Sequence, residues 1–256
     1  VDERGLRGRW VDFQQHSHHL PPADLAPFVA RFWLASWDLR GQAPYRQLIV
    51  PYPNVHLTFR EGRAEVHGVA RGHVVRELSG LGRVFGVAFH PGCFQPVLRA
   101  PLSTITNRVR RADEVFGRDL PVPQGEEAEQ VATVQRFLRE RLPAPDPVSL
   151  QAKEIVALVA AEPSITRVDE LAARTGLGVR QLQRLFAEHV GVGPKWVIRR
   201  YLLHEVTERL ASGRSVDWAA LAAELGYADQ AHFSRDFADL VGETPAQYAR
   251  RYPAAD

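Results

Sequence analysis

The sequence predicts an α+β chain of two domains. A β-rich N-terminal domain, a small barrel or sandwich with added helices, spans residues 1–143, and an all-α C-terminal domain spans 148–256. Three observations predict it. Residues 1–120 hold short runs of β-branched and aromatic residues separated by turn signals. From Ser149 onward, apolar residues recur at helical spacing. Between the two regions, Pro143-Ala-Pro-Asp-Pro147 reads as a short stiff linker.

The strands come first. Leu48-Ile-Val-Pro51, Val55-His-Leu-Thr-Phe59 and Val84-Phe-Gly-Val-Ala-Phe89 are the strand runs, with turn signals at Pro53-Asn54, Glu61-Gly62, Arg71-Gly72 and Ser79-Gly80. Val55–Phe59, Glu61-Gly62 and Ala64–Val66 together predict a hairpin. After the Pro91-Gly92 break the period becomes helical, with Phe94, Val97 and Leu98, then Leu102, Ile105 and Val109, on one apolar face. Glu126–Leu142 predicts a helix with an acidic first turn, which suits the helix dipole. It serves either as a dimer contact or as a packing helix between domains.

Composition bounds the function classes. Apolar residues make up 45% of the 256 residues, enough for real cores. No apolar run reaches the roughly 18–20 residues that span a bilayer, and no apolar segment follows the charged first residues. The expectation is a soluble cytoplasmic protein without a membrane partner. One cysteine, Cys93, excludes an internal disulfide framework and a multi-thiolate zinc site. The net charge is +2. Residues 1–150 hold 19 arginines against 16 carboxylates, a net of +3, and residues 151–256 hold 13 cations against 14 carboxylates, a net of −1. A nucleic-acid-binding module in the second half must therefore gather its cations locally on one face.

The second half carries one pattern twice. In the first unit, about 168–190, Val168 and Leu171 line the core side of one helix, Ala172 allows close crossing, Gly176 makes the turn, and Leu182, Leu185 and Phe186 anchor a second helix. Its open face holds Arg180, Gln181, Gln183 and Arg184. In the second unit, about 218–240, Leu221 and Ala222 precede Gly226, Asp229 is the N-cap, and Phe233 and Phe237 are the anchors. Gln230, Ala231, His232, Ser234 and Arg235 lie at the start of that helix or on its open side. Leu182 and Phe233 are 51 positions apart. Between the units, Pro194 to about Ser212 fits one long helix with Pro in its first turn. Arg reads guanine bidentately and Gln reads adenine, so these faces suit base edges in the major groove.

These residues resemble the AraC/XylS-type transcriptional regulators. The resemblance covers about 150–253 and is carried by Val168-Asp-Glu-Leu-Ala-Ala173, Leu182-Gln-Arg-Leu-Phe186, Gly191-Val-Gly-Pro194, Leu225-Gly-Tyr-Ala-Asp-Gln-Ala-His-Phe-Ser-Arg-Asp-Phe237 and Gly242-Glu-Thr-Pro-Ala-Gln-Tyr248. Val50-Pro-Tyr-Pro-Asn-Val-His-Leu57, Gly86-Val-Ala-Phe-His-Pro-Gly92 and Phe116-Gly117 are similar to a β-rich domain found in some of these regulators. The resemblance implies a sequence-specific DNA-binding regulator, not an enzyme, with seven C-terminal helices, two helix-turn-helix units and no cofactor. It implies an N-terminal domain for effector sensing, dimerisation or both. Its partners would be double-stranded DNA, RNA polymerase, a small-molecule effector and a second copy of the chain. By motif position Arg180, Gln181, Gln183 and Arg184 contact DNA from the first unit, and Gln230, Ala231, His232, Ser234 and Arg235 from the second. The long helix departs from the family, which often has Arg where Leu202 and Glu205 stand. Lys195, Arg199 and Arg200 are the nearest substitutes for phosphate contact. Family members also often have a small polar cap where Gly178 stands.

Other chemistry was weighed against this. His16-Ser-His-His19 reads as a metal-binding tract or as a flexible polar segment, the second being favoured because no acidic partner follows at ligand spacing. His56, His67, His73 and His90 lie on or beside strands without a His-x-His pair. Cys93 reads as a redox sensor or a small buried hydrophobe, and the latter is favoured. Trp10, Trp33, Trp37 and Tyr52 line an apolar effector pocket or pack a core. Two further classes compete with the regulator. An alkyl-transfer repair regulator needs a thiolate cluster that one cysteine cannot make. A ligand-binding barrel with a degenerate helical domain would show DNA affinity indifferent to salt.

Overall fold

A computed structural model of the chain describes residues 13–211 and 217–250. The N-terminal domain is built on a six-stranded antiparallel sheet. In spatial order its strands are β1 (Gln14–His19), β2 (Val29–Leu39), β7 (Gly80–Phe89), β4 (His56–Arg60), β5 (Arg63–His67) and β8 (Val109–Arg111). A second sheet pairs β3 (Tyr45–Ile49) with β6 (Val74–Leu78). The expected hairpin is β4–β5, where Arg60 faces Arg63 across Glu61 (φ 51°) and Gly62 (φ 74°). Positive φ at both central residues is the turn that matches strand twist.

Alternation along the strands sorts the two faces of the large sheet. Phe32, Leu57, Phe85, Val87 and Phe89 share a core with Phe94, Phe116, Val134, Phe137 and Leu138. The last five come from the segment holding α1 (Gln95–Leu98), α2 (Ala112–Phe116) and α3 (Glu127–Arg141). Helix α3 thus spends its apolar face on its own domain's sheet. The other face carries Trp37 and Leu39, which meet Leu78 and Tyr45 of the small sheet. Polar bonds also cross that gap: the Gln14 amide donates to the Gln47 oxygen at 3.1 Å, and Arg76 donates to His67 at 3.5 Å. The two-sheet arrangement is the sandwich form of the expected fold.

Two expectations change here. Val109, read as the end of a helical face, instead pairs with His67 in β8, with only Leu102–Ile105 forming a 3-10 turn before it. The His16–His19 tract is the edge strand β1 rather than a flexible segment, and the ring of His19 bonds to Glu127 of α3. Trp37 packs as a buried core side chain opposite Gly82, and Trp33 is half-buried opposite Gly86. A Cβ added at Gly86 would lie 2.1 Å from the Trp33 ring, so only glycine admits this approach. Trp10 lies outside the described residues. Cys93 is buried, and burial pushes its thiol up to about 11, as a packed hydrophobe requires and a redox sensor does not.

The C-terminal domain has seven helices among the described residues. They are α4 (Pro147–Ala161), α5 (Val168–Thr175), α6 (Val179–Leu185, followed by a π turn over Phe186–Val190), α7 (Pro194–Ala211), α8 (Trp218–Glu224), α9 (Gln230–Val241) and α10 (Pro245–Ala249). Asp146 caps α4 by accepting from Ser149 N at 2.9 Å, with Pro147 in the first turn. The far end of the long helix was expected near Ser212, which lies outside the described residues. Val156, Leu171, Leu182, Phe186, Ile198, Phe233 and Phe237 form one core, and Val50 and Val69 of the N-terminal domain enter it. No helix among the described residues is long and apolar enough to cross a membrane.

Candidate nucleic-acid interface

Each reading helix is set by a short chain of local causes. In the first unit α5 ends at Gly176, whose φ of 68° turns the chain toward α6. Leu171, Leu182 and Phe186 are fully buried, which fixes the rotation of α6 and leaves Arg180, Gln181, Gln183 and Arg184 exposed. The N-terminus of α6 lacks a polar cap at Gly178. Instead the Gly178 N–H donates to the side-chain oxygen of Gln181 at 2.8 Å. That bond occupies the oxygen a bidentate adenine contact by Gln181 would need, so such a contact would have to give up the cap.

The second unit repeats the construction with better caps. Asp217 accepts from Ala219 N (2.9 Å) and Ala220 N (3.1 Å), closing the start of α8. Gly226 (φ 73°) makes the turn, and Asp229 caps α9 by accepting from His232 N at 2.7 Å, as expected. Phe233 and Phe237 are fully buried, and Trp218 stacks on Phe233 with ring centroids 6.4 Å apart. Gln230, Ala231 and Arg235 are exposed, and His232 and Ser234 are half-buried at the edge of the same face. Helix α7 joins the units through buried Val197, Ile198, Leu202, Leu203 and Val206. Leu202 is core in this chain, which accounts for the absence of the family's Arg there.

The charge puzzle resolves locally. Glu170, Asp217 and Asp229 are engaged at helix N-termini, and Glu162, Asp169 and Asp236 pair with Arg174, Arg167 and Arg199. Among the described residues Arg180, Arg184, Lys195 and Arg235 make no ion pair. A module with net −1 thus still presents free cations on its open faces.

The three long-helix cations expected to touch phosphates separate. Lys195 is exposed. Arg199 is held by Asp236 at 2.7 Å. Arg200 is a correction: it is 1% exposed, stacks at 4.0 Å over Tyr52, and donates to the carbonyls of Pro51 and Val50 in the N-terminal domain. Burial pulls its pKa down while Tyr52 and Tyr201 oppose the shift. A guanidinium spent on buried carbonyls is not available to DNA. Sequence reasoning also missed Asp236, although its i,i+4 spacing from His232 was a visible signal.

Comparison with known proteins finds two domain families, each over less than half of the chain. Residues 171–251 match a family described as "Helix-turn-helix domain", and residues 17–111 match "Domain of unknown function (DUF6597)". The chain thus carries a helix-turn-helix domain C-terminal to a β-rich region that matches a family of its own. Solved structures it is similar to include a probable AraC family transcriptional regulator from Rhodopseudomonas palustris (24% identity, 40% of this chain and 97% of that one, TM-score 0.36). Others are the C-terminal domain of AraT, a response regulator from Geobacillus stearothermophilus (16%, 44% and 93%, 0.37), and unsaturated fatty acid bound ToxT from Vibrio cholerae (10%, 95% and 96%, 0.39).

Proposed function

We propose that this chain is an AraC-type, sequence-specific DNA-binding transcriptional regulator that reads two successive major-groove segments at once, with α6 in one and α9 in the other. The observation that carries the reading is the pair of open faces, with Arg180, Arg184 and Arg235 exposed and outside any ion pair among the described residues, on two helices whose rotation is fixed by buried anchors and which α7 joins. Arg180, Gln181, Gln183 and Arg184 contact the first segment; Gln230, Ala231, His232, Ser234 and Arg235 contact the second; Lys195 lies near the backbone phosphates. The domain division at residues 143–148 belongs to the same proposal. It is supported by the Asp146 cap and by separate cores on either side.

The N-terminal domain modulates this reading by setting where the two units stand, not by covering them. Its contacts fall on the scaffold behind both faces. Thr106 donates to Gly191 O at 2.5 Å beyond the first unit, Trp196 of α7 donates to Arg71 O at 2.9 Å, and His73 N–H donates to Asp239 O of α9 at 3.4 Å. A cavity of about 310 Å³ lined by Arg31, Tyr52, Asn54, His90, Pro91 and Tyr201 opens along the same seam. A small molecule entering there would part Tyr52 from α7, whose His204 lies 3.0 Å from the Tyr52 hydroxyl.

The test is binding of the purified chain to DNA from its own upstream region. Arg184→Ala and Arg235→Ala should each lower discrimination against base changes at the site about tenfold or more, the order expected for loss of a bidentate base contact. Unchanged discrimination in both sinks the assigned roles.

A further inference from the structure

At the back of the second reading helix stands a cluster that joins two elements. Arg199 of α7 places Nη1 2.7 Å from the carboxylate of Asp236 on α9. Its other terminal nitrogen is 3.4 Å from Nε2 of His232, and its guanidinium lies 5.6 Å from the ring centroid of Tyr227, in the turn of the second unit. The Tyr227 and His232 rings meet edge to face at 5.3 Å. Nε2 of His232 is also 3.9 Å from Asp236. Three segments, the long helix, the turn and the reading helix, therefore converge on the one side chain of the second face that is half-buried and ring-shaped. Arg180, Arg184 and Arg235 make no comparable contacts among the described residues.

We propose that Asp236 and Arg199 form a brace that holds His232 in one orientation for base reading, and that Arg199 is a positioning residue rather than a phosphate contact. The proposal rests on the base-reading function of the second unit. The physical reason is geometric. A histidine at the edge of a groove-facing helix has two ring nitrogens whose directions decide which base edge it matches. Free in solvent it samples several rotamers, and each costs binding entropy to fix. Here the Arg199 nitrogen and the Tyr227 ring bound it on two sides. Asp236 keeps the guanidinium in place by charge, through the single close approach of Nη1 to its carboxylate, while the other terminal nitrogen stands by His232. The brace also ties the second reading helix to α7, so the orientation of the reader follows the position of the long helix.

The experiment uses the full chain and its preferred site selected from random duplex DNA. Affinity is measured for that site and for single base changes in the second half-site, at several salt concentrations, for wild type and for Asp236→Asn, Arg199→Met, Arg199→Lys, His232→Ala, Arg235→Ala and Asp236→Asn combined with His232→Ala. The brace predicts that Asp236→Asn and Arg199→Met each reduce discrimination in the second half-site several-fold and leave the first half-site unaffected. Arg199→Lys, which keeps the charge and loses the fork, should not rescue it, and it serves as the second variant should Asp236→Asn fold poorly. With His232 already replaced, Asp236→Asn should change discrimination less than twofold. The salt dependence of affinity in Arg199→Met should match wild type. Overturning the brace would be a fall of about 0.9 in the salt slope of Arg199→Met, with Asp236→Asn binding all DNA more tightly and discriminating as before. That outcome would make Arg199 a phosphate contact masked by Asp236. Loss of discrimination in Arg235→Ala alone would keep base reading and reject the brace. A wild-type chain with no preferred site rejects both.

Discussion

His56 shows how much a single residue depends on what the fold packs around it. The sequence marked it only as a histidine on a strand. In the structure the Trp33 indole N–H donates to its Nδ1 at 3.3 Å, so the neutral ring is the acceptor. Burial, with Arg31 and His67 adding, pulls its pKa down to about 3. The folded value lies below the unfolded one of about 6.5, so the unfolded chain binds the proton first as pH falls. His56 therefore contributes full stability above about pH 6.5 and loses it progressively toward pH 3. Between pH 7 and pH 5 the loss is about 2 kcal/mol, an order-of-magnitude figure. His90, held near 4 by burial with Lys153 contributing, adds loss in the same direction. Urea unfolding at the two pH values should show a smaller decline for His56→Asn, which keeps an acceptor and has no proton to gain. Equal declines in the two proteins would show that the buried ring does not set the acid sensitivity. Arg200 makes the same point about context. Its type and helical position suggested a phosphate contact, and only the packing of the second domain shows that backbone carbonyls claim it.

Elements were legible where their causes are local. Helix α3 begins and ends within a residue of the expected span, because its acidic first turn and apolar period are written in adjacent residues. The turns at Gly176 and Gly226 and the cap at Asp229 are local in the same sense. The strands were harder. Strand β2 is the longest among the described residues and pairs on both sides, yet its alternation is hidden because both faces are covered, one by helices and one by the small sheet. Strand β8 is three exposed residues whose identity as a strand comes only from pairing with β5 some 40 positions earlier. The Trp33–Gly86 pair is likewise invisible in sequence, though it specifies the β2–β7 register. Gly86→Ala should cost about 1–3 kcal/mol in equilibrium unfolding, since the indole must leave its place for a methyl group to fit. An unfolding midpoint equal to wild type would mean that the ring has room to move.

At the scale of the whole molecule, the helix-turn-helix domain and its two units were readable from motif residues, whereas the seam between domains was not. Its contacts run from Tyr52 to His204, from Arg71 to Trp196 and from His73 to Asp239, each across more than 120 positions, and no local pattern announces them. The seam nevertheless gives the acidic-balanced C-terminal half a fixed frame, so that a few placed cations suffice. The account's central claim is that α6 and α9 engage two groove segments together at a spacing set by α7. The most direct measurement is affinity for a selected site against the same site with about 5 base pairs inserted between its halves, half a helical turn. Rigid double engagement predicts a fall of about 100-fold or more, to the level of one unit alone, and recovery when about 10 are inserted only if the protein can stretch to follow. Affinity unchanged by the half-turn insertion would contradict the account, because it would mean that the two helices do not bind at once.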